Sequence, residues 1–244
     1  MRDRFFVEGV HAAGDRVALA PDDARKVATV LRKRSGDRVQ VVDSAGVAYA
    51  ATLDVDGRDV RAHLDAALER ADPESGLRIT LAQAVPKGTK MDLVVEKATE
   101  LGVHAIVPVR TARVVALASG AEKVERWRRI ARSAARQSGR VRVPDVGDVV
   151  EWDALLATFG RYDRVFVPWE LADPAPLRTV FDAQLAGASH ALVVIGPEGG
   201  FAAGEIARAR DAGASVISLG RRILRTETAA LVVLSAMLYA RGEL

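Results

Sequence analysis

The sequence predicts an α/β protein in two parts: a small, mostly β domain over residues 1–72, then a domain with a parallel sheet over residues 73–244. Three observations predict it. Before residue 72, short β-like stretches are broken by turns: residues 38–42, the turn Asp43-Ser44-Ala45-Gly46, then residues 47–53. After residue 77, strand-length apolar runs alternate with helix-like patterns, the rhythm of parallel strands covered by helices. At VVIGPEGGFAAGEIARA, residues 193–209, an apolar run stops at a bare loop and a helix pattern begins at once. Parallel sheets hold ligands outside strand ends of this kind.

The elements follow in order. One helix is expected in the first domain, residues 21–34, opened by Pro21-Asp22-Asp23. Residues 71–76, Ala-Asp-Pro-Glu-Ser-Gly, read as a linker. Beyond it, strands are expected at 77–85, 105–109, 164–167, 192–195 and 216–219, and helices at 91–101, 121–138, 203–212 and 226–239. No internal repeat or low-complexity tract interrupts them.

Composition narrows the chemistry. An apolar fraction of 49% with 27% charged residues describes a globular chain able to bury a core. The absence of cysteine excludes disulfides, thiolate metal sites and cysteine nucleophiles. His11, His63, His104 and His190 lack the spacing of a metal pair, so no metal is expected. The N-terminus lacks a signal peptide's apolar core, and no run approaches the roughly 20 residues of a membrane span. A cytoplasmic protein with no membrane partner is the expectation.

Net charge is only +3, but it is concentrated. Residues 121–143 hold eight basic residues, seven of them arginine, against Glu122 and Glu125. Arg128, Arg132, Arg136 and Arg140 recur at i, i+4 and would form one stripe. Val124, Trp127, Ala131, Ala134 and Ser138 fall on another face that could pack on the sheet. A solvated surface is the plain reading of such a stripe; nucleic acid is the reading favoured by clustered arginine without interleaved carboxylates.

The bare loop Gly196-Pro197-Glu198-Gly199-Gly200 is not built for phosphate. A phosphate loop would continue Gly-Lys-Ser/Thr, a dinucleotide loop would space its glycines G-x-G-x-x-G, and Glu198 would repel an anion. Two further strand-end segments join it: Val167-Pro168-Trp169-Glu170 and the basic stretch LGRRILRTETAA, residues 219–230. In the latter, Thr226 can cap the last helix and Glu227 suits its positive end, but neither role explains three loop arginines. Three loops at one sheet edge can wrap a compact, uncharged-to-cationic ligand, with Ile195, Leu219 and Leu224 covering its faces. A side chain at Gly199 would intrude on that space.

IGPEGGF followed by LGRRILRTETAAL resembles the RsmE family, the 16S rRNA (uracil-N3) methyltransferases of the SPOUT superfamily. The likeness extends through KGTKMDLVVEKATELGV, ARQSGR and the RFF and VLR stretches, with Lys26 standing where the family often has a histidine. It implies a PUA-like RNA-binding β-barrel over 1–72 and, over 73–244, a SPOUT methyltransferase domain whose C-terminal segment forms a trefoil knot. It also implies a homodimer, built partly by the apolar closing helix with Leu231, Leu234, Met237 and Leu238.

The same resemblance implies that S-adenosylmethionine lies among the three loops. The first would contribute Val167, Pro168, Trp169 and Glu170, and the second Ile195, Gly196, Pro197, Glu198, Gly199 and Gly200. The third would contribute Leu219, Gly220, Arg221, Ile223, Leu224, Arg225, Thr226, Thr228 and Ala229. For a uridine of 16S rRNA in the small ribosomal subunit, Arg225 is the candidate to stabilise charge on O2 and O4. Glu198 and Glu227 are the motif carboxylates able to accept the proton. Expected RNA contacts are Arg2, Arg4, Arg32, Lys33, Lys87, Lys90, Lys97, Arg132, Arg136, Gln137 and Arg140. Another SPOUT enzyme, acting on tRNA or a ribose hydroxyl, and a non-catalytic RNA-binding protein remain as alternatives.

Overall fold

A computed structural model describes residues 3–57, 59–69, 74–114, 121–173 and 175–244. Arg2 and linker residues Ala71, Asp72 and Pro73 lie outside the described residues. The chain divides into two compact units, one of Met1–Glu74 with Ala135–Arg142, the other of Ser75–Ala134 with Val143–Leu244.

The first unit is a five-stranded sheet of β1 (Arg4–Phe6), β2 (Arg16–Ala18), β3 (Arg38–Val42), β4 (Ala48–Asp56) and β5 (Asp59–Ala67), in the order β1-β3-β4-β5-β2. All pairs are antiparallel except β1 with β3. Alternation along β5 buries Val60, Ala62 and Leu64 and leaves the residues between them exposed, the period-two pattern of a sheet wet on one face. With Phe5, Val39, Val41, Leu53 and Val27 these residues form one core. The helix expected at 21–34 is shorter. Helix α1 (Pro21–Arg25) passes into a π-turn at Lys26–Val30, and Arg32 then takes a left-handed φ of 51° that ends helical geometry.

In the second unit the chain order is β6 (Arg78–Ala84), α2 (Lys90–Glu100), β7 (Ala105–Arg110), α3 (Ala121–Ser138), β8 (Asp145–Val146), β9 (Val150–Glu151) and α4 (Trp152–Leu156). It continues through β10 (Arg164–Pro168), α5 (Leu177–Gln184), β11 (His190–Ile195), α6 (Ala203–Asp211), β12 (Ser215–Ile217) and α7 (Thr226–Ala240). The sheet runs β12-β10-β11-β6-β7-β8, with β9 also on β7, and every described pairing is parallel. Its strands are apolar on both faces because helices cover both. Ala191, Val193 and Ile195 of β11 point into a core shared with α2 and α7. Leu192 and Val194 point the other way, toward Trp152, Ile206 and Ala209 of α4 and α6.

Two expectations about helices change here. Leu234, Met237 and Leu238 of α7 are interior residues of this core rather than a spare apolar surface; the exposed apolar side chains of that helix are Val232 and Tyr239. Thr226 is the first helical residue, with Arg225 at the N-cap position, so its hydroxyl does not cap α7.

Candidate functional site

Strands β12, β10 and β11 are neighbours, so the three segments leaving their carboxyl ends meet at one sheet edge. They enclose a cavity of about 720 Å³. Of the residues expected there, Pro168, Trp169 and Glu170 line it, as do Ile195, Gly196, Pro197, Glu198, Gly199 and Gly200. So do Leu219, Gly220, Ile223, Leu224, Arg225, Thr226 and Ala229. Val167, Arg221 and Thr228 do not. Val167 is fully buried on the far face of the sheet, because side chains alternate along β10 and its neighbour Pro168 takes the cavity side.

Four lining residues were not assigned to this site from the sequence: Lys90, Phe201, Ser218 and Arg222. Phe201 directly follows the glycine loop and packs back on it. Its ring lies against Gly196, where a Cβ would come within 3.0 Å of the ring. Lys90 carried a signal too, a lysine closing a strand-to-helix turn, but its partner is 108 residues away and no local pattern reveals it.

The bare loop is held firmly. Thr226 Oγ1 donates to the Gly196 carbonyl at 2.6 Å and accepts from Gln83 Nε2 at 2.8 Å. Arg113 donates to the Gly199 carbonyl at 2.7 Å, and the Gly200 N–H closes a turn onto the Pro197 carbonyl at 2.9 Å. Buried Glu205 accepts from the Ala202 N–H at 2.9 Å and the Ala112 N–H at 2.8 Å, anchoring the start of α6 to the end of β7. The loop needs its glycines unequally. Gly200 has a left-handed φ of 66°, which favours glycine, and the Glu170 carboxylate sits 2.7 Å from where its Cβ would be. At Gly199 a Cβ would meet only Arg113, at an ordinary 3.5 Å, so the fold itself tolerates a side chain there while Gly200 resists one.

The motif carboxylates differ in their surroundings. Glu198 Oε1 accepts from Lys90 Nζ at 2.9 Å and from the Lys87 N–H at 3.1 Å. Burial pushes its pKa up, but the hydrogen bonds from Lys90, from its own N–H and from that of Lys87 prevail and hold it below the ordinary value. Glu227 does not line the cavity, and its buried Oε2 has no hydrogen-bond partner among the described residues. Arg222 and Arg225 are exposed at the cavity, with no ion-pair partner among the described residues. Ile223 beside them is 88% exposed. No cluster of potential metal ligands is found among the described residues.

The arginine stripe is largely paired within the protein. Arg136 pairs with buried Asp23, and Arg140, itself buried, pairs with Glu74, all within the first unit. Arg128 is bound to Glu125, Asp148 and the Val146 carbonyl, and Arg126 to Asp92. Arg132 also has an interaction partner. Apart from Glu125, one turn before Arg128, the carboxylates arrive from other parts of the chain, which no i, i+4 count detects. Its apolar face does pack as expected through Val124, Trp127, Ala131 and Ala134, while Ser138 is exposed.

Other expected RNA contacts are also occupied. Arg4 is buried, donating to the carbonyls of Gly139 and Arg140 and to Gln40. Lys33 pairs with Asp3 at 2.9 Å. Lys97 is bound by Glu100 and Glu96, which push its pKa up to about 12. Arg32, Lys87 and Gln137 are exposed.

The family model of the RNA methyltransferase domain matches residues 73–238. A ribosomal RNA small subunit methyltransferase E of Bacillus subtilis is 32% identical over 228 residues, covering 91% of this chain and 89% of its own. The chain belongs to this methyltransferase E family. A relative of the same name from Mycobacterium bovis is 34% identical, covering 96% of this chain and 90% of its own. A family member from Neisseria gonorrhoeae, solved bound to S-adenosyl methionine, superposes with a TM-score of 0.86 at 31% identity, covering 98% of both chains. Membership in the methyltransferase E family spans both units of the chain.

Proposed function

We propose that this protein is an S-adenosylmethionine-dependent methyltransferase that modifies N3 of a uridine in 16S rRNA of the small ribosomal subunit. The observation that carries the reading is the cavity at the ends of β12, β10 and β11, built from the GPEGG and LGRRILRTET segments of a methyltransferase E chain. Its residues fit the cofactor. The backbone is bare at Gly196, Gly199 and Gly200, and apolar Ile195, Leu219 and Leu224 can cover a purine. The lining carries carboxylates beside cations, which suits a sulfonium zwitterion better than a phosphate.

When bound, the cofactor supplies an electrophilic methyl group on a sulfonium. The protein's part is to position and to stabilise charge. Arg225 and Arg222 stand at the cavity without ion-pair partners among the described residues, able to donate to uracil O2 and O4 as N3 loses its proton. The N3 edge is normally paired, so the uridine must be unpaired or flipped to reach them. Catalytic contact is assigned to Arg225; Glu227 stands outside the cavity lining, which weighs against a role as proton acceptor.

Further readings go with this function. The first 72 residues act as a PUA-like RNA-binding domain, and residues 73–244 as a SPOUT domain. Helices α6 and α7 pack in the cores on opposite faces of the sheet, and β12 lies beyond β10 from β11. In this reading residues 218–225, between β12 and α7, are the segment that threads a trefoil knot. The outward face of α7, with Val232 and Tyr239, joins two copies in a homodimer working in the cytoplasm. No helix among the described residues is long and apolar enough to cross a membrane.

Calorimetric titration with S-adenosylmethionine, followed by mass mapping of 16S rRNA from subunits treated with the protein, tests the central reading. One new methyl on a uridine base is expected; a methylated ribose or tRNA would overturn it. Sedimentation of Tyr239→Glu beside wild type tests the dimer, with a shift toward monomer expected.

A further inference from the structure

Glu198 lines the cavity, yet its carboxylate already has two partners within the protein. The Lys87 N–H and Lys90 Nζ both donate to its Oε1, at 3.1 and 2.9 Å; Lys87 lies in the turn after β6 and Lys90 is the first residue of α2. The glycine loop itself does not depend on this carboxylate. Thr226 fixes its first carbonyl, Arg113 fixes that of Gly199, and the Pro197–Gly200 turn closes on its own. The Glu198 side chain therefore acts outward from the loop, on the lysine turn.

On the methyltransferase reading above, we propose that Glu198 is a positioning residue: it straps the Lys87–Lys90 turn to the glycine loop and holds the Lys90 ammonium at the cavity wall, and it does not take the uridine proton. Of the three cations lining the cavity, Lys90 is the one held by a carboxylate; Arg222 and Arg225 have no ion-pair partner among the described residues. To act as a base, Glu198 would have to release Lys90. The two side chains are only 30% and 36% exposed, so water screens their attraction incompletely. Held below its ordinary pKa, the carboxylate is also a weak acceptor at neutral pH.

The strap assigns the pH dependence of the reaction to the uridine imide. A carboxylate base of lowered pKa would be ionised throughout the neutral range and would leave kcat flat there. Capture of the ionised imide makes kcat climb with pH whether or not Glu198 is present.

The test compares wild type, Glu198→Ala, Lys90→Ala, Lys90→Arg and the double alanine variant, using small ribosomal subunits and S-adenosylmethionine from roughly pH 6 to pH 9. Both single alanine variants are expected to raise the cofactor KM about tenfold, the scale of one charge-assisted hydrogen bond. The double variant should be no worse than either single, since one interaction is removed once. Lys90→Arg should recover part of the loss, and the slope of log kcat against pH should match wild type throughout. A wild-type kcat that is flat across this range and becomes pH-dependent in Glu198→Ala, with KM unchanged, overturns the strap, as do additive losses in the double variant.

Amide exchange gives a readout independent of catalysis. The Lys87 N–H should exchange about tenfold faster in Glu198→Ala; unchanged exchange overturns the strap as well. If wild type neither binds the cofactor nor methylates RNA, the methyltransferase reading fails, and exchange at Lys87 still judges the strap by itself.

Discussion

The Thr226 hydroxyl donates to the Gly196 carbonyl at 2.6 Å while accepting from the Gln83 amide at 2.8 Å, so one buried side chain ties α7, the glycine loop and β6 together. Thr226→Val keeps the shape and strands both partners. Unfolding should become easier by about 1–3 kcal/mol, the cost of orphaned buried polar groups. Cofactor affinity should fall as Gly196 loosens, whereas Thr226→Ser should keep most of both. Thermal unfolding and calorimetry on the two variants check this.

Gly200→Ala and Gly199→Ala should separate. The left-handed backbone at Gly200 costs a side chain about 1–2 kcal/mol. Its Cβ would also push the Glu170 carboxylate from its place at the cavity. Gly199→Ala should leave thermal unfolding near wild type, since its Cβ meets Arg113 at ordinary contact distance, and should weaken cofactor binding, since Gly199 lines the cavity.

Arg140→Met and Glu74→Gln should act on folding. Their side chains are 6% and 12% exposed, and breaking a buried pair from one side costs about 3–5 kcal/mol. Urea unfolding should show the loss. RNA affinity of the folded fraction should keep its wild-type salt dependence.

Salt dependence should respond instead to Arg32 and Arg34, which are exposed and without ion-pair partners among the described residues. Replacing each with Gln should lower the slope of log K against log salt by about one unit if each meets a phosphate. Filter binding to 16S rRNA fragments at several salt concentrations measures it.

Asp163 accepts hydrogen bonds from the Ser189 N–H, the His190 N–H and the Ser189 hydroxyl, which lower its pKa in that order. A depressed carboxylate stabilises the fold above its unfolded pKa and ceases to do so as pH falls through the folded value. Asp163→Asn should therefore melt below wild type at neutral pH. The gap should begin to narrow as pH falls below about 4, the ordinary carboxylate value, and vanish only as pH passes through the lower folded value. Melting curves across that range show the convergence.

The site is more legible in the sequence than its surroundings are. Strand-end loops announce themselves through glycine and abrupt changes of period, and on those signals the segments around Trp169, Gly196 and Leu219 group together. The strands β8 and β9 have two residues each, too short to carry a period, and α5 follows Pro176 with little warning. Side-chain partners are least legible. Asp23 and Glu74 neutralise Arg136 and Arg140 across 113 and 66 residues, so a row of arginines reads as a surface when part of it is interior. Lys90 reads as an RNA contact for the same reason, because Glu198 lies far along the chain.

The last residues of α3 and the turn after them, 135–142, belong to the first unit although they follow sixty residues of the second. A single cut after residue 74 therefore cannot release the first unit whole. The fragment would lack the carbonyls that receive Arg4 and the arginines that neutralise Asp23 and Glu74. Swapping this unit between relatives requires two grafts, with residues 135–142 travelling alongside the N-terminal piece. Inheritance should obey the same rule: substitutions at positions 23 and 74 are expected to co-vary with those at 136 and 140.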